Sequence, residues 1–347
     1  MTTSKGYFMP VITHQLASED VSILRGLTAA AAEAEGLTVE QRLRTMALLA
    51  HAAPARLRRA MVEFRMLEPA GAMIVSGLPV EESALGPTPG HWRHAAMEWS
   101  DEDLLLLLLG SLLGDPFAWS TQQDGRFVHN ILPIKDHADE QLGSGTSQVL
   151  WWHTEDAFHE ARPDYLLLFC LRNPNDVATT YADVSSLDLE PELFALLSEP
   201  EFLIRPDNSH KPEHNSAPLD SNAEAVSSAF DSIGRRQADP RRIPVLFGDP
   251  RSPYARLDPY FMEDPLSVSH AEAFASLCAR INESLEHIVL RPGDCLVLDN
   301  YRAVHGRDAY EARFDGTDRW LKRVNVTRDL RSSRALRGGA DSATIFG

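Results

Sequence analysis

Cysteine is scarce: the chain of 347 residues holds three. Cys170, Cys278 and Cys295 are too few and too scattered for a disulfide framework or a zinc knuckle. Cys170 and Cys295 sit inside apolar runs, which predicts buried free thiols. Basic charge is scarce too. Lys+Arg number 33 against 50 Asp+Glu, for a net charge of -17. Such a surface repels phosphate backbones and anionic lipid, so neither nucleic acid nor membrane is an expected partner. A cationic ligand is favoured, though bulk charge says little about one pocket. Long apolar runs are missing as well. Leu104 to Leu109 and Tyr165 to Leu171 are far too short to span a bilayer. The opening Met1-Thr2-Thr3-Ser4-Lys5 lacks the basic-then-apolar plan of a signal peptide, so a cytoplasmic protein is expected. No internal repeat recurs at a fixed period, and the sequence sets no oligomeric state.

What is present supports a sizeable core, with 44% hydrophobic and 24% charged residues. Residues 18–66 read as helices, with Pro54 breaking the run. Ala72 to Pro79 reads as a strand closed by a turn, Glu81 to Trp92 as a loop, and Trp99 to Leu113 as a long helix. Strands follow: Phe127 to Pro133, Trp152 to Phe158, the continuous apolar run Tyr165 to Leu171, and Thr179 to Val184. Leu189 to Leu197 reads as a short helix, and Pro244 to Gly248 with Tyr254 to Asp258 as a strand pair. Ser269 to Leu285 is a helix. Ile288 to Asp299 reads as a hairpin-like pair turning at Pro292-Gly293, and Arg319 to Val326 as the last core strand. Asp136 to Ser147 and Asp207 to Arg236 are polar loops, the second a long insertion. The expectation is a mainly β fold with helical additions. Its core would be a sandwich or double-stranded β-helix (jelly roll) buttressed by N-terminal helices. One domain would cover 1–347: a helical section over about 18–114, the core over about 115–330, and a loose tail over 331–347.

The chemistry centres on Trp152-His153-Thr154-Glu155-Asp156-Ala157-Phe158. In a strand, His153 and Glu155 project from the same face. A distant histidine would complete a metal site, and His305 in Ala303-Val304-His305-Gly306-Arg307 is the candidate. Two histidines and a carboxylate leave other positions of an octahedral metal open, as in non-haem Fe(II) oxygenases. The plainer alternative is a histidine–carboxylate hydrogen bond at the surface. Gly306 permits close backbone approach beside His305. Further on, Arg319, Leu321 and Arg323 share one strand face, opposite Trp320, Val324 and Val326. An inward arginine needs an anion, and a planar guanidinium suits a carboxylate. The alternative for Arg319 is a salt bridge to Asp315 or Asp318. Together these features fit an Fe(II)/2-oxoglutarate oxygenase. A zinc hydrolase or a non-catalytic binding protein could also use them, although the helical H-E-x-x-H arrangement is absent.

Five runs carry a more specific resemblance. They are Trp152 to Phe158, Arg162 to Tyr165, Cys170 to Pro174, Asp299 to Arg307 and Arg313 to Leu321. Over roughly Gly71 to Arg334 the chain resembles the clavaminate synthase-like Fe(II)/2-oxoglutarate oxygenases, a branch marked by glutamate in the second ligand position. Within it, the chain resembles the free L-arginine hydroxylases of antibiotic biosynthesis, of the viomycin, streptothricin and enduracididine type. The resemblance implies Fe(II) held by His153, Glu155 and His305, with 2-oxoglutarate and O2 as cosubstrates. It implies Arg319 on the distal carboxylate of 2-oxoglutarate, with Thr180 as a hydrogen-bond partner. It places Arg323 on the amino-acid carboxylate, Gln122 on the α-amino group and Asp258 on the guanidinium. Glu155 would border the substrate as well as the metal. Where the viomycin-type pattern has a second acid two residues after Asp258, this chain has Tyr260; Asp258 could also be a turn residue before Pro259. The implied reaction is hydroxylation of L-arginine, at Cβ first. Cγ hydroxylation, dihydroxylation, desaturation and other basic amino acids remain open as variants.

Overall fold

The computed structural model describes residues 11–33, 36–95, 99–216 and 223–347. Three helices open it: Ser18–Ala32, Val39–Ala50 and Ala55–Leu67. The second starts at a capping box, where Thr38 Oγ1 accepts from Gln41 N and Gln41 Oε1 accepts from Thr38 N. Pro54, expected to break the run, stands at the N-terminus of the third. A fourth helix, Asp101–Ser111, begins at a second capping box of Ser100 and Asp103. Leu104 to Leu109 are all buried, as an all-round apolar helix requires.

Two sheets carry the core. The larger runs in the order Ile12–Gln15, Ala72–Ser76, Cys295–Asp299, Tyr165–Arg172, Trp320–Thr327, Asp115–Trp119, Thr344–Ile345. His129–Ile131 also pairs with Trp320–Thr327. The smaller runs Glu286–Ile288, Thr179–Asp183, Ala303–Arg307, Leu150–His153. The central strand Tyr165–Arg172 is buried along its whole length, which explains its unbroken apolar sequence. Leu167, Phe169 and Leu171 face the N-terminal helices, whereas Leu166, Leu168 and Cys170 pack with Tyr181, Ile288 and Ala303 of the smaller sheet. The smaller sheet's other face, through Ala182 and Val304, packs on Leu277 and Ile281 of the helix Val268–Ser284. The molecule is therefore layered: helices, large sheet, small sheet, helix.

Five readings of the sequence are corrected. The segment Ile288 to Asp299 is no hairpin: Glu286–Ile288 pairs in the small sheet, and Cys295–Asp299 in the large one. The Pro292-Gly293 turn carries the chain from one sheet to the other. The strand at His153 ends there, and Asp156 takes a positive φ of 49°. Within the expected 81–92 loop, Glu82–Leu85 forms a helical turn. The insertion after Asp207 contains the 16-residue helix Ala223–Ala238, anchored by buried Ala229 and Ile233. Residues 217–222 of it lie outside the described residues. The tail is docked rather than loose. Thr344–Ile345 adds a parallel strand beside Asp115–Trp119, and Ile345 is buried in the core. Among the described residues, no helix is long and apolar enough to cross a membrane.

Candidate active site

His153 and His305 come together because their strands are neighbours. They are register partners in the small sheet, and their rings lie 4.6 Å apart. Gly306 allows this pairing. A Cβ there would stand 2.4 Å from Leu150 O and 3.0 Å from Trp152 N. Glu155 is two residues beyond His153, in irregular backbone, so strand alternation alone does not aim it. Asn300 does. Its Oδ1 accepts from Glu155 N at 2.7 Å, and its Nδ2 donates to Glu155 O at 3.0 Å and to Pro163 O at 2.8 Å.

The result is a triad of ligand atoms within 4.8 Å of one another. Glu155 Oε2 stands 3.8 Å from His153 Nε2 and 3.5 Å from His305 Nε2. His153 Nδ1 is 2.8 Å from Trp151 O, so it carries a proton and leaves Nε2 as the inward atom, the one that would give up its proton to ligate. Burial opposes charge on His153, but the Glu155 hydrogen bond and the Asp258 carboxylate raise its pKa to about 9. Burial lowers His305. Burial also works against ionised Glu155, yet the Arg323 guanidinium and the two histidines hold it well below the usual carboxylate range.

The triad lines a cleft together with Thr179, Asp207, Ser209, Asp258, Arg307, Arg319 and Arg323. Arg319 is 5% exposed, and its Nη2 makes a long 3.4 Å contact to Thr179 Oγ1. Its Nε is buried with no partner. The alternative salt bridges are not made: Asp318 accepts from the backbone N–H groups of Arg313 and Phe314, and Asp315 from Thr317. Burial accordingly pulls the Arg319 pKa down. No carboxylate compensates this charge among the described residues.

Arg323 ion-pairs with Glu155 and donates to Gln122 Oε1 at 3.2 Å; its Nη2 is 2.7 Å from His129 Nδ1. Burial and Arg323 keep His129 neutral, so it accepts that bond. Gln122 is buried and also donates to Ser209 Oγ at 2.6 Å. Asp258 Oδ1 accepts from Tyr260 N in a turn, and the residue also lines the cleft, where burial raises its carboxyl to about 6 against the pull of His153.

Thr180 is corrected. Alternation along Thr179–Asp183 turns it toward Gly306 on the outer face, whereas Thr179 stands beside Arg319. Sequence reasoning also missed Arg307, which lies on the strand face of His305 at spacing i+2 in His305-Gly306-Arg307. That spacing was a usable signal. Asn300 had none, because its role depends on a turn between the two sheets. Asp156 was missed as well. It accepts from Trp119 Nε1 at 2.6 Å, lies 3.0 Å from His210 Nε2, and so ties the insertion to the turn after Glu155.

Comparison with known proteins agrees with this geometry. Residues 97–325 match the family model described as "Taurine catabolism dioxygenase TauD, TfdA family". An enduracididine beta-hydroxylase of Streptomyces hygroscopicus is 42% identical over 311 residues, covering 86% of this chain and 89% of that protein. An L-ornithine/L-arginine 3-hydroxylase of Catenulispora acidiphila is 44% identical over 306 residues, with the same coverage of 86% and 89%. The crystal structure of the non-heme iron oxygenase OrfP with Fe, succinate and (3S)-hydroxy-L-Arg superposes with a TM-score of 0.89 at 40% identity, over 97% of this chain and 100% of that one. The chain belongs to the TauD/TfdA dioxygenase family.

Proposed function

We propose that the protein is an Fe(II)/2-oxoglutarate-dependent oxygenase that hydroxylates free L-arginine at Cβ, with conversion of 2-oxoglutarate and O2 to succinate and CO2. The observation that carries this reading is the pairing, in one cleft, of a two-histidine, one-carboxylate donor set with the uncompensated buried charge of Arg319. An open metal site by itself suits a hydrolase. A buried arginine awaiting a carboxylate does not.

His153, Glu155 and His305 would hold the iron. The bound iron and 2-oxoglutarate supply oxygen activation and removal of hydrogen from an unactivated carbon. The remaining work falls to the chain. Arg319 and Thr179 hold the distal carboxylate of 2-oxoglutarate. Arg323, paired with Glu155 in the structure, turns to the amino-acid carboxylate, and Gln122 takes the α-amino group. Asp258 meets the guanidinium. Asp207 lines the same cleft and supplies the second acid that the sequence has as Tyr260. Loops 136–147 and 207–216 wall the cleft and keep water out.

The core is read as a double-stranded β-helix. Its support is the alternation of the chain between the two sheets through 150–183 and again through 286–327. We read 1–347 as a single oxygenase domain and place the enzyme in the cytoplasm. The test is succinate release with Fe(II), 2-oxoglutarate and O2, with and without amino acid. Release that rises with L-arginine is expected. Release indifferent to arginine but raised by lysine, ornithine or citrulline would move the substrate. No release with any of them, with zinc retained on purification, would overturn the oxygenase reading.

A further inference from the structure

Outside the cleft triad, ligand-type side chains converge at a second place. His137 and Glu140 belong to the loop that follows Ile134, and His214 to the arm that follows Asp207. One ligand atom from each lies within 4.8 Å of the other two. His214 Nε2 stands 3.2 Å from Glu140 Oε2. The rings of His137 and His214 are 4.9 Å apart and nearly perpendicular, at 86°. Tetrahedral zinc with nitrogen and oxygen donors at about 2.1 Å sets those donors about 3.4 Å apart, so rotamer adjustment suffices.

The surroundings suit His137 as a neutral, oriented ligand. His137 Nδ1 is 2.8 Å from Ser144 Oγ, the outer hydrogen bond that frees Nε2 to ligate. Burial, then the charge of His214, lowers the His137 pKa, and Glu140 and Asp136 only partly oppose this. His91 lies against the His137 ring at 6.1 Å, but its Nδ1 accepts from Arg93 N and its Nε2 therefore carries the proton. It borders the site without joining it.

We propose that His137, Glu140 and His214 form a second metal site, for a divalent transition ion of the zinc class, which clasps the two loops together. The inference does not rest on the oxygenase reading. Its consequence is mechanical. Gln141, Leu142 and Gly143 follow Glu140 directly and line the cleft, and Asp207 and Ser209 line it from the other arm. An ion at the clasp ties both walls and slows their opening.

The experiment uses the full chain stripped of metal and titrated with Zn²⁺ against a chromophoric chelator. Two equivalents are expected. His214→Ala, His137→Ala and Glu140→Gln should each bind one. His305→Ala should also bind one, and in that variant zinc should slow amide hydrogen exchange in 135–147 and 207–216. Adding His214→Ala to His305→Ala should abolish that slowing. Should His214→Ala fail to fold, Glu140→Gln, a change to a part-exposed side chain, provides the same count. A single equivalent that Glu140→Gln retains and His305→Ala loses, two equivalents retained in Glu140→Gln, or unchanged exchange in His305→Ala would overturn the proposal.

Discussion

Replacing Arg319 by methionine should separate binding from stability. The guanidinium is buried, its Nε is unpartnered, and its nearest bond is the 3.4 Å contact to Thr179. A carboxylate bound there gains two parallel charge-assisted hydrogen bonds, worth roughly 1.5–3 kcal/mol each. Their loss, about 3–6 kcal/mol, raises the KM for 2-oxoglutarate by about two to four orders of magnitude. Arg319→Lys keeps the charge and loses the fork, so about one to two orders are expected. Without cosubstrate the methionine variant should be as stable as the parent or more so, because an uncompensated buried charge is gone. With 2-oxoglutarate at about 100 times Kd, the parent alone should gain about 2.7 kcal/mol. Steady-state kinetics and urea denaturation, each with and without 2-oxoglutarate, read both effects. An unchanged KM in Arg319→Met, or destabilisation without cosubstrate, would refute the reasoning.

Other consequences follow from single contacts. Asn300→Ala leaves Glu155 N and Pro163 O without their partner; Fe(II) affinity should fall about 10–100-fold and stability by about 1–3 kcal/mol, read by metal titration and denaturation. Asp207→Asn and Asp258→Asn should each raise the KM for arginine by roughly tenfold or more while leaving the KM for 2-oxoglutarate alone, since both line the cleft, Asp258 in reach of His153 and Asp207 grouped with Asp156 and His210; equal effects on both constants would contradict the assignment. Burial raises the Asp299 carboxyl to about 7. Between about pH 4 and pH 7 the folded state keeps this proton and the unfolded chain loses it, so stability falls as pH rises, by up to roughly 4 kcal/mol. Asp299→Asn should flatten that slope in a series of denaturation midpoints; an unchanged slope would assign it to other groups.

The parts legible in the sequence were those carried by one strand. Arg319 and Arg323 share the face that alternation assigns, with Trp320, Val324 and Val326 packed toward the helices. Tyr165–Arg172 is the central strand that its apolar run announces. What failed depends on where the chain changes sheets. The Pro292-Gly293 turn looks like a hairpin locally, and only the long-range partners of Cys295–Asp299 show that it is not. Thr179 and Thr180 are adjacent, so an error of one residue turns the side chain to the opposite face. Ala223–Ala238 was obscured by the polar segment before it, because its buried side rests on few residues, Ala229 and Ile233 among them. The tail docks through Ala343 and Ile345, with Leu336 packed alongside, a few apolar residues in a stretch otherwise of small and charged ones.

The most direct test of the central claim is the product itself. Incubating the iron-loaded protein with 2-oxoglutarate, O2 and uniformly ¹³C-labelled L-arginine, then recording carbon–proton correlation spectra, locates the new C–O bond. A hydroxyl on Cβ, formed in step with succinate, is the predicted result. Arginine recovered unchanged while the iron and 2-oxoglutarate sites are demonstrably filled would contradict the account.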